Sequence, residues 1–239
     1  MRARVQMCLV VALGLTGLFA SQCIAQEAES KSTAPTEVRV GLKSIVLPAP
    51  SSELLEPGPD YRVILEPLAP ISNRLVAGYI LPDELHAIET GKSTLTRYAL
   101  VEVPRRAEFA DVDDTIFHQV ADMAAKQFNV TLTNSLNDMQ SEINMKLKSL
   151  DKDGTQITLD KPTPLGLFFN KPDAVALGMV LKSNHGGESK TEAGVTLFMH
   201  LKNRILIAYL FTPYDGETSV NWLRTTGEHW ADAILKANR

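Results

Sequence analysis

The last third of the sequence is a series of short apolar runs separated by turn residues, and this series limits the fold more than any other feature. Four consecutive runs cover residues 165–170, 174–182, 195–201 and 205–211. The segments between them, 170–173, 184–187 and 202–203, contain Asn, Asp, Gly and Pro, which favour turns. Runs of this length are typical of strands, and such short connections join antiparallel neighbours. The sequence therefore predicts an antiparallel meander of hairpins.

Strand and helix patterns also precede and follow this meander. Further predicted strands cover residues 37–42 continued by 45–47, then 61–65, 74–81, 96–103 and 156–159. Predicted helices cover 83–90, ending at Gly91, then 111–128, 137–149 and 219–236. The third of these helices also alternates as a strand would. In the last helix the apolar stripe consists of Val220, Leu223, Gly227, Trp230 and Ile234.

This order of elements predicts an α+β fold. We expect an antiparallel sheet with a C-terminal hairpin meander and helices packed on it, in a two- or three-layer sandwich. A hydrophobic fraction of 44% and a charged fraction of 22% are typical of a folded chain. We expect residues 37–239 to form one domain, and the alternative is two lobes divided near residue 151.

The N-terminal residues predict a targeting segment. Arg2 and Arg4 precede a mostly apolar stretch at 7–20, and Cys23 and Ala25 occupy the small-residue positions of a cleavage site. We expect residues 1–25 to be removed as a signal peptide, residues 26–36 to form a flexible leader, and the protein to be periplasmic or secreted. The alternative is a lipoprotein acylated at Cys23, which the bulky Gln22 disfavours.

Cleavage after Ala25 would leave an acidic chain without cysteine. It would remove Cys8 and Cys23, the only cysteines, and it would change the formal net charge from -4 to -6 because Arg2 and Arg4 are lost. Disulfides, thiol catalysis and cysteine-ligated metals are then excluded. We expect no nucleic-acid partner, because an acidic domain repels phosphates, and no membrane span after cleavage.

Two acidic segments come nearest to a metal site. Residues 149–160 match part of a calcium loop through Ser149, Asp151, Asp153, Gly154 and Asp160. Asp160 replaces the usual bidentate Glu, and Pro162 opposes an exiting helix, so the segment predicts a turn. Residues 111–114 contain three aspartates at the start of a predicted helix, where carboxylates cap backbone N–H groups. Capping is therefore the favoured role for Asp111, Asp113 and Asp114.

The remaining polar residues form no recognised catalytic motif. The five histidines, none close to another, are His86, His118, His185, His200 and His229. No strained serine elbow and no phosphate-binding loop is found. We therefore predict no catalytic residue, no metal site and no cofactor. His200 is expected at the surface of its strand, Trp230 in the core, and Trp222 partly exposed as a candidate contact residue.

These observations favour an exported, non-enzymatic binding or accessory protein whose partner is an envelope protein or a small ligand. The alternative is a hydrolase or another enzyme whose site is assembled from scattered residues such as Asp113, His118 and His229. That alternative requires these side chains to meet in three dimensions.

Overall fold

The predicted hairpin meander lies in a seven-stranded antiparallel sheet in the computed structural model of the protein. The structure describes residues 35–58, 65–89, 95–150, 156–185 and 188–239. Several predicted features lie outside these residues: the targeting segment, nearly all of the leader, residues 61–64 of one strand, Gly91 and residues 151–155 of the calcium-like loop.

Nine strands are described, and they belong to two sheets. Their bounds are β1 Thr36–Val40, β2 Lys43–Leu47, β3 Asn73–Ile80, β4 Tyr98–Pro104, β5 Ile157–Leu159, β6 Thr163–Lys171, β7 Ala174–His185, β8 Glu188–Leu201 and β9 Arg204–Pro213. Strands β1 and β2 form a separate hairpin, and the large sheet has the order β3-β4-β9-β8-β7-β5, with β6 also paired to β7. The large sheet is curled, and it contains strands from both sides of residue 151.

Three α-helices accompany the sheets within the described residues: α1 Pro82–Glu89, α2 Asp114–Leu150 and α3 Glu217–Ala237. A 3-10 turn covers Glu66–Leu68. The predicted α+β fold class, with an antiparallel sheet and its C-terminal meander, is confirmed. No helix in the described part of the chain combines the length and the apolar character needed to cross a membrane.

Side chains from both faces of the large sheet are buried, so the fold has three layers. On one face, Val195 and Leu197 of β8 pack in the same cluster as Trp230 of α3 and the β1–β2 hairpin. On the other face, Ile205 and Ile207 of β9 pack with the first turns of α2. Because strand residues alternate in direction, successive residues of the central strands contact helices on opposite sides.

Helix α3 buries the predicted stripe against the sheet. Leu223, Gly227, Trp230 and Ile234 are buried, whereas Val220 is half-buried. The Trp230 ring packs edge-on against Tyr79, with ring centroids 5.8 Å apart, and its Nε1–H donates to the Pro48 carbonyl oxygen at 2.8 Å. The prediction that Trp230 is a core residue is confirmed.

The prediction of two helices between residues 111 and 149 is wrong, because α2 is continuous over 37 residues. The segment that was predicted to separate them, 129–136, contains neither Gly nor Pro. Its β-branched and polar residues disfavour a helix by only a few tenths of a kcal/mol each. Such a small cost does not end a helix, and residues 137–149 are helical and not a strand.

The first predicted strand is also wrong, since residues 36–47 form the β1–β2 hairpin. The chain reverses at Gly41, whose φ of 56° lies in the left-handed region that glycine tolerates best. The last residue of another predicted strand, Leu65, does not extend a strand but precedes the 3-10 turn.

Candidate metal-binding site

The three aspartates at the start of α2 have three different partners. Asp113 caps the helix, because its Oδ1 accepts the N–H of Ile116 at 2.8 Å. Asp111 accepts a hydrogen bond from Nη1 of Arg204 at 2.5 Å, and this bond lowers the pKa of the Asp111 carboxyl. Asp114 instead lies beside a histidine of β8. The capping prediction is confirmed for Asp113 alone.

That histidine is His200, which lies between two carboxylates from different elements. Its Nδ1 is 3.3 Å from Oδ1 of Asp114, the first residue of α2, and 3.8 Å from Oδ1 of Asp173, in the turn between β6 and β7. One ligand atom from each of the three residues lies within 4.8 Å of the others. The His200 side chain is 6% exposed, whereas both aspartates are exposed. The expectation that His200 lies at the surface is wrong, because its face of the sheet is covered by α2.

The His200 ring is held in one orientation from two directions. Its Nε2 is 2.6 Å from the carbonyl oxygen of Val112, and the ring stacks on Phe117 with centroids 5.2 Å apart. The backbone N–H of His200 also donates to the Asp173 carbonyl oxygen at 2.9 Å. These contacts connect the end of β8, the start of α2 and the β6–β7 turn.

The hydrogen bonds of His200 determine which ring nitrogen faces the two carboxylates, and a positive charge is needed between that nitrogen and the carboxylates. A carbonyl oxygen only accepts hydrogen bonds, so Nε2 of His200 carries the hydrogen that contacts Val112. In the neutral ring, the Nδ1 lone pair then faces the two carboxylates, and this arrangement is repulsive. Either a proton on Nδ1 or a metal ion between Nδ1 and the carboxylates removes the repulsion.

The arrangement around Nε2 matches that of metal-binding histidines. Such a histidine ligates the ion through one ring nitrogen and donates the other N–H to a carbonyl or a carboxylate. One imidazole nitrogen and two carboxylate oxygens suit divalent ions such as Zn²⁺, Mn²⁺ and Fe²⁺. Asp114, Asp173 and His200 were not grouped together from the sequence, so this cluster was missed.

A second histidine stabilises the same turn. Nε2 of His118, one helical turn beyond Asp114, lies 3.1 Å from the carbonyl oxygen of Pro172, the residue before Asp173. His118 is exposed and contacts the turn through the backbone. It therefore positions Asp173 relative to α2.

The three residues named as examples for a scattered enzyme site are not all brought together. Asp113 caps α2, and His118 binds the Pro172 carbonyl at the same end of that helix. His229 is an exposed residue of α3, which packs on the opposite face of the sheet. The sheet therefore separates His229 from the other two residues.

The other candidate residues take part in local contacts. Asp160 of the calcium-like loop pairs with Lys182 at 3.4 Å. Trp222 is half-buried, as expected, and the guanidinium of Arg97 lies 4.4 Å from its ring centroid. The side chains of His86 and His185 lie outside the described part of the structure.

Neither a protein-family model nor a curated protein sequence matches this chain.

Proposed function

We propose that this chain is an exported binding protein whose ligand is a divalent metal ion held by Asp114, Asp173 and His200. The supporting observation is the buried His200 ring, which donates Nε2–H to Val112 and directs Nδ1 at two carboxylates. The N-terminal targeting pattern supports export to the periplasm or the medium. The role is binding, and no catalytic step is assigned to these residues.

Metal binding is tested by titrating chelator-treated protein with Zn²⁺ and Mn²⁺ in a calorimeter. We expect one ion to bind per chain. The absence of binding by both Zn²⁺ and Mn²⁺ would contradict the proposal.

The site is assigned by two exposed substitutions and one matched control. Asp114→Asn and Asp173→Asn each remove a carboxylate charge from the cluster, and we expect each to weaken metal binding by more than about tenfold. Asp122→Asn removes an exposed aspartate of α2 that pairs with Lys126 instead, so binding should stay as in the wild type. Equal affinity in all three variants would place the ion elsewhere.

Export is tested by the intact mass and the location of the product made from the full sequence. We expect a periplasmic or secreted chain that begins at Gln26. A product with a lipid on Cys23 would support the lipoprotein alternative, and an unprocessed cytoplasmic chain would refute export. A pull-down from the cell envelope with the processed product tests the predicted envelope partner.

A further inference from the structure

Two large apolar side chains project from the end of the domain that carries the His200 cluster. Leu42 is 81% exposed and Phe109 is 69% exposed. Their chain neighbours are in contact, because a Cβ added to Gly41 would lie 2.6 Å from the carbonyl oxygen of Glu108. Leu42 and Phe109 therefore form one small surface, which we name the apolar tip.

The loop that presents Phe109 is held firmly to the sheet. Arg74 binds Glu108 through Nη2 at 2.5 Å and through Nε at 3.2 Å. Arg204 donates Nη1–H to the Ala110 carbonyl oxygen at 2.9 Å, and the N–H of Arg105 donates to the Ser72 carbonyl oxygen at 2.9 Å. With the backbone fixed in this way, the Phe109 ring stays at the surface.

Basic residues lie on the segments next to the apolar tip, where Nζ of Lys202 donates to the Ser44 carbonyl oxygen at 2.8 Å. The four segments at this end, 39–44, 105–114, 171–173 and 202–204, contain seven Lys or Arg residues and five Asp or Glu residues. Asp111 is paired with Arg204 and Glu108 with Arg74, and Lys171 is paired with Glu228 and Asp232 of α3. Without these paired residues, the four segments contain five basic and three acidic residues. This end therefore carries a small excess of positive charge, whereas the whole chain has a formal net charge of -4.

We propose that the apolar tip binds an anionic lipid surface. Apolar side chains next to Lys and Arg match the boundary between acyl chains and charged headgroups. A protein partner would need an apolar patch of several hundred Å². Leu42 and Phe109 provide much less apolar area than that, and so a lipid surface is the favoured partner. One such tip gives reversible binding and not permanent anchoring.

The test uses the full sequence, with the processed product identified by intact mass and mixed with sedimenting vesicles. One set of vesicles contains phosphatidylcholine alone, and the other also contains about 30% phosphatidylglycerol. We expect binding to the anionic vesicles only, and we expect that binding to weaken as salt is raised, because salt screens exposed charges.

Three variants separate the tip from other causes of vesicle binding. The double variant L42S/F109S removes the apolar contact, and R106E reverses the charge of one exposed basic residue near the tip. Each should weaken binding to anionic vesicles by about tenfold. Tyr214→Ser changes an exposed apolar residue just beyond the opposite end of β9 and should leave binding unchanged.

Several outcomes would overturn the proposal. Equal binding to both kinds of vesicle, or full binding by L42S/F109S, would assign attachment to another part of the chain. Self-association that L42S/F109S abolishes would make a second copy the occupant of the tip. None of these outcomes depends on the metal site, whose calorimetric test stands separately.

Discussion

Replacing Glu102 by Gln should stabilise the protein more strongly as the pH rises. Glu102 lies on β4 and is fully buried, its Oε2 accepts a hydrogen bond from Nδ2 of Asn73 at 2.7 Å, and its Oε1 has no hydrogen-bond partner in the described structure. Burial raises the pKa of Glu102 from 4.5 to about 7, while the Asn73 bond and the charge of Lys146 oppose that rise.

The size of the effect follows from this pKa. As the pH rises from 4 towards 7, the unfolded chain loses the Glu102 proton near its pKa of 4.5, whereas the folded chain holds the proton until the pH approaches about 7. Because the folded state then binds more protons, the free energy of unfolding falls as the pH rises. The loss from this one group between pH 4 and pH 7 is about 3 kcal/mol. Gln does not titrate, so the variant lacks this loss.

The measurement is urea unfolding of wild type and E102Q at pH 4, 5, 6 and 7, followed by circular dichroism and tryptophan fluorescence. The difference in unfolding free energy between the two proteins should grow by about 3 kcal/mol over this range. Asn73→Ala removes a bond that lowers the pKa of Glu102, so it should steepen the pH dependence. The reasoning would be refuted by parallel pH profiles for wild type and E102Q.

Three further substitutions test the packing around the candidate site and the core. Asp113→Ala removes the cap on the N–H of Ile116 and should destabilise the protein by about 1 kcal/mol in urea unfolding. Trp230→Phe removes the bond to the Pro48 carbonyl oxygen and leaves a small void, which should cost about 2 kcal/mol by the same assay. Gly41→Ala places a Cβ 2.6 Å from a backbone oxygen at a φ of 56°, so the melting temperature should fall, with a loss of about 2 kcal/mol. An unchanged melting temperature for Gly41→Ala would show that this hairpin turn relaxes without strain.

The meander could be predicted because its signals are local. Each apolar run is flanked by residues that turn the chain, and consecutive strands of the meander pair as expected. The bounds were less accurate, since β8 begins at Glu188 and not at residue 195. Its polar residues pair with β7 along the ladder, as in Ser183 with Lys190. Backbone pairing extends strands beyond the apolar pattern from which they were predicted.

The length of α2 could not be read from local pattern alone. One apolar face was followed up to Phe128 and a second from residue 137, so two helices were predicted. The second half of α2 is instead fixed by distant contacts, with the N–H of Ile71 donating to Glu142 at 3.0 Å and Asn144 exchanging two hydrogen bonds with the backbone of Ile157. Such tertiary contacts hold a helix across a segment of moderate propensity.

The candidate metal site required two facts that lie beyond any short motif. Its residues are 114, 173 and 200, so no spacing within one helix or loop brings them together. One part was within reach of the sequence: alternate turns of a meander lie at the same end of the sheet, and this rule places Asp173 near the end of the strand that carries His200. The other fact that was needed is that α2 forms a third layer over the second face of the sheet. Once α2 covers the second face, His200 is buried, like Met199 and Leu201, which face the opposite side. A buried imidazole needs polar partners, so a three-layer prediction leads directly to a search for the residues that face His200.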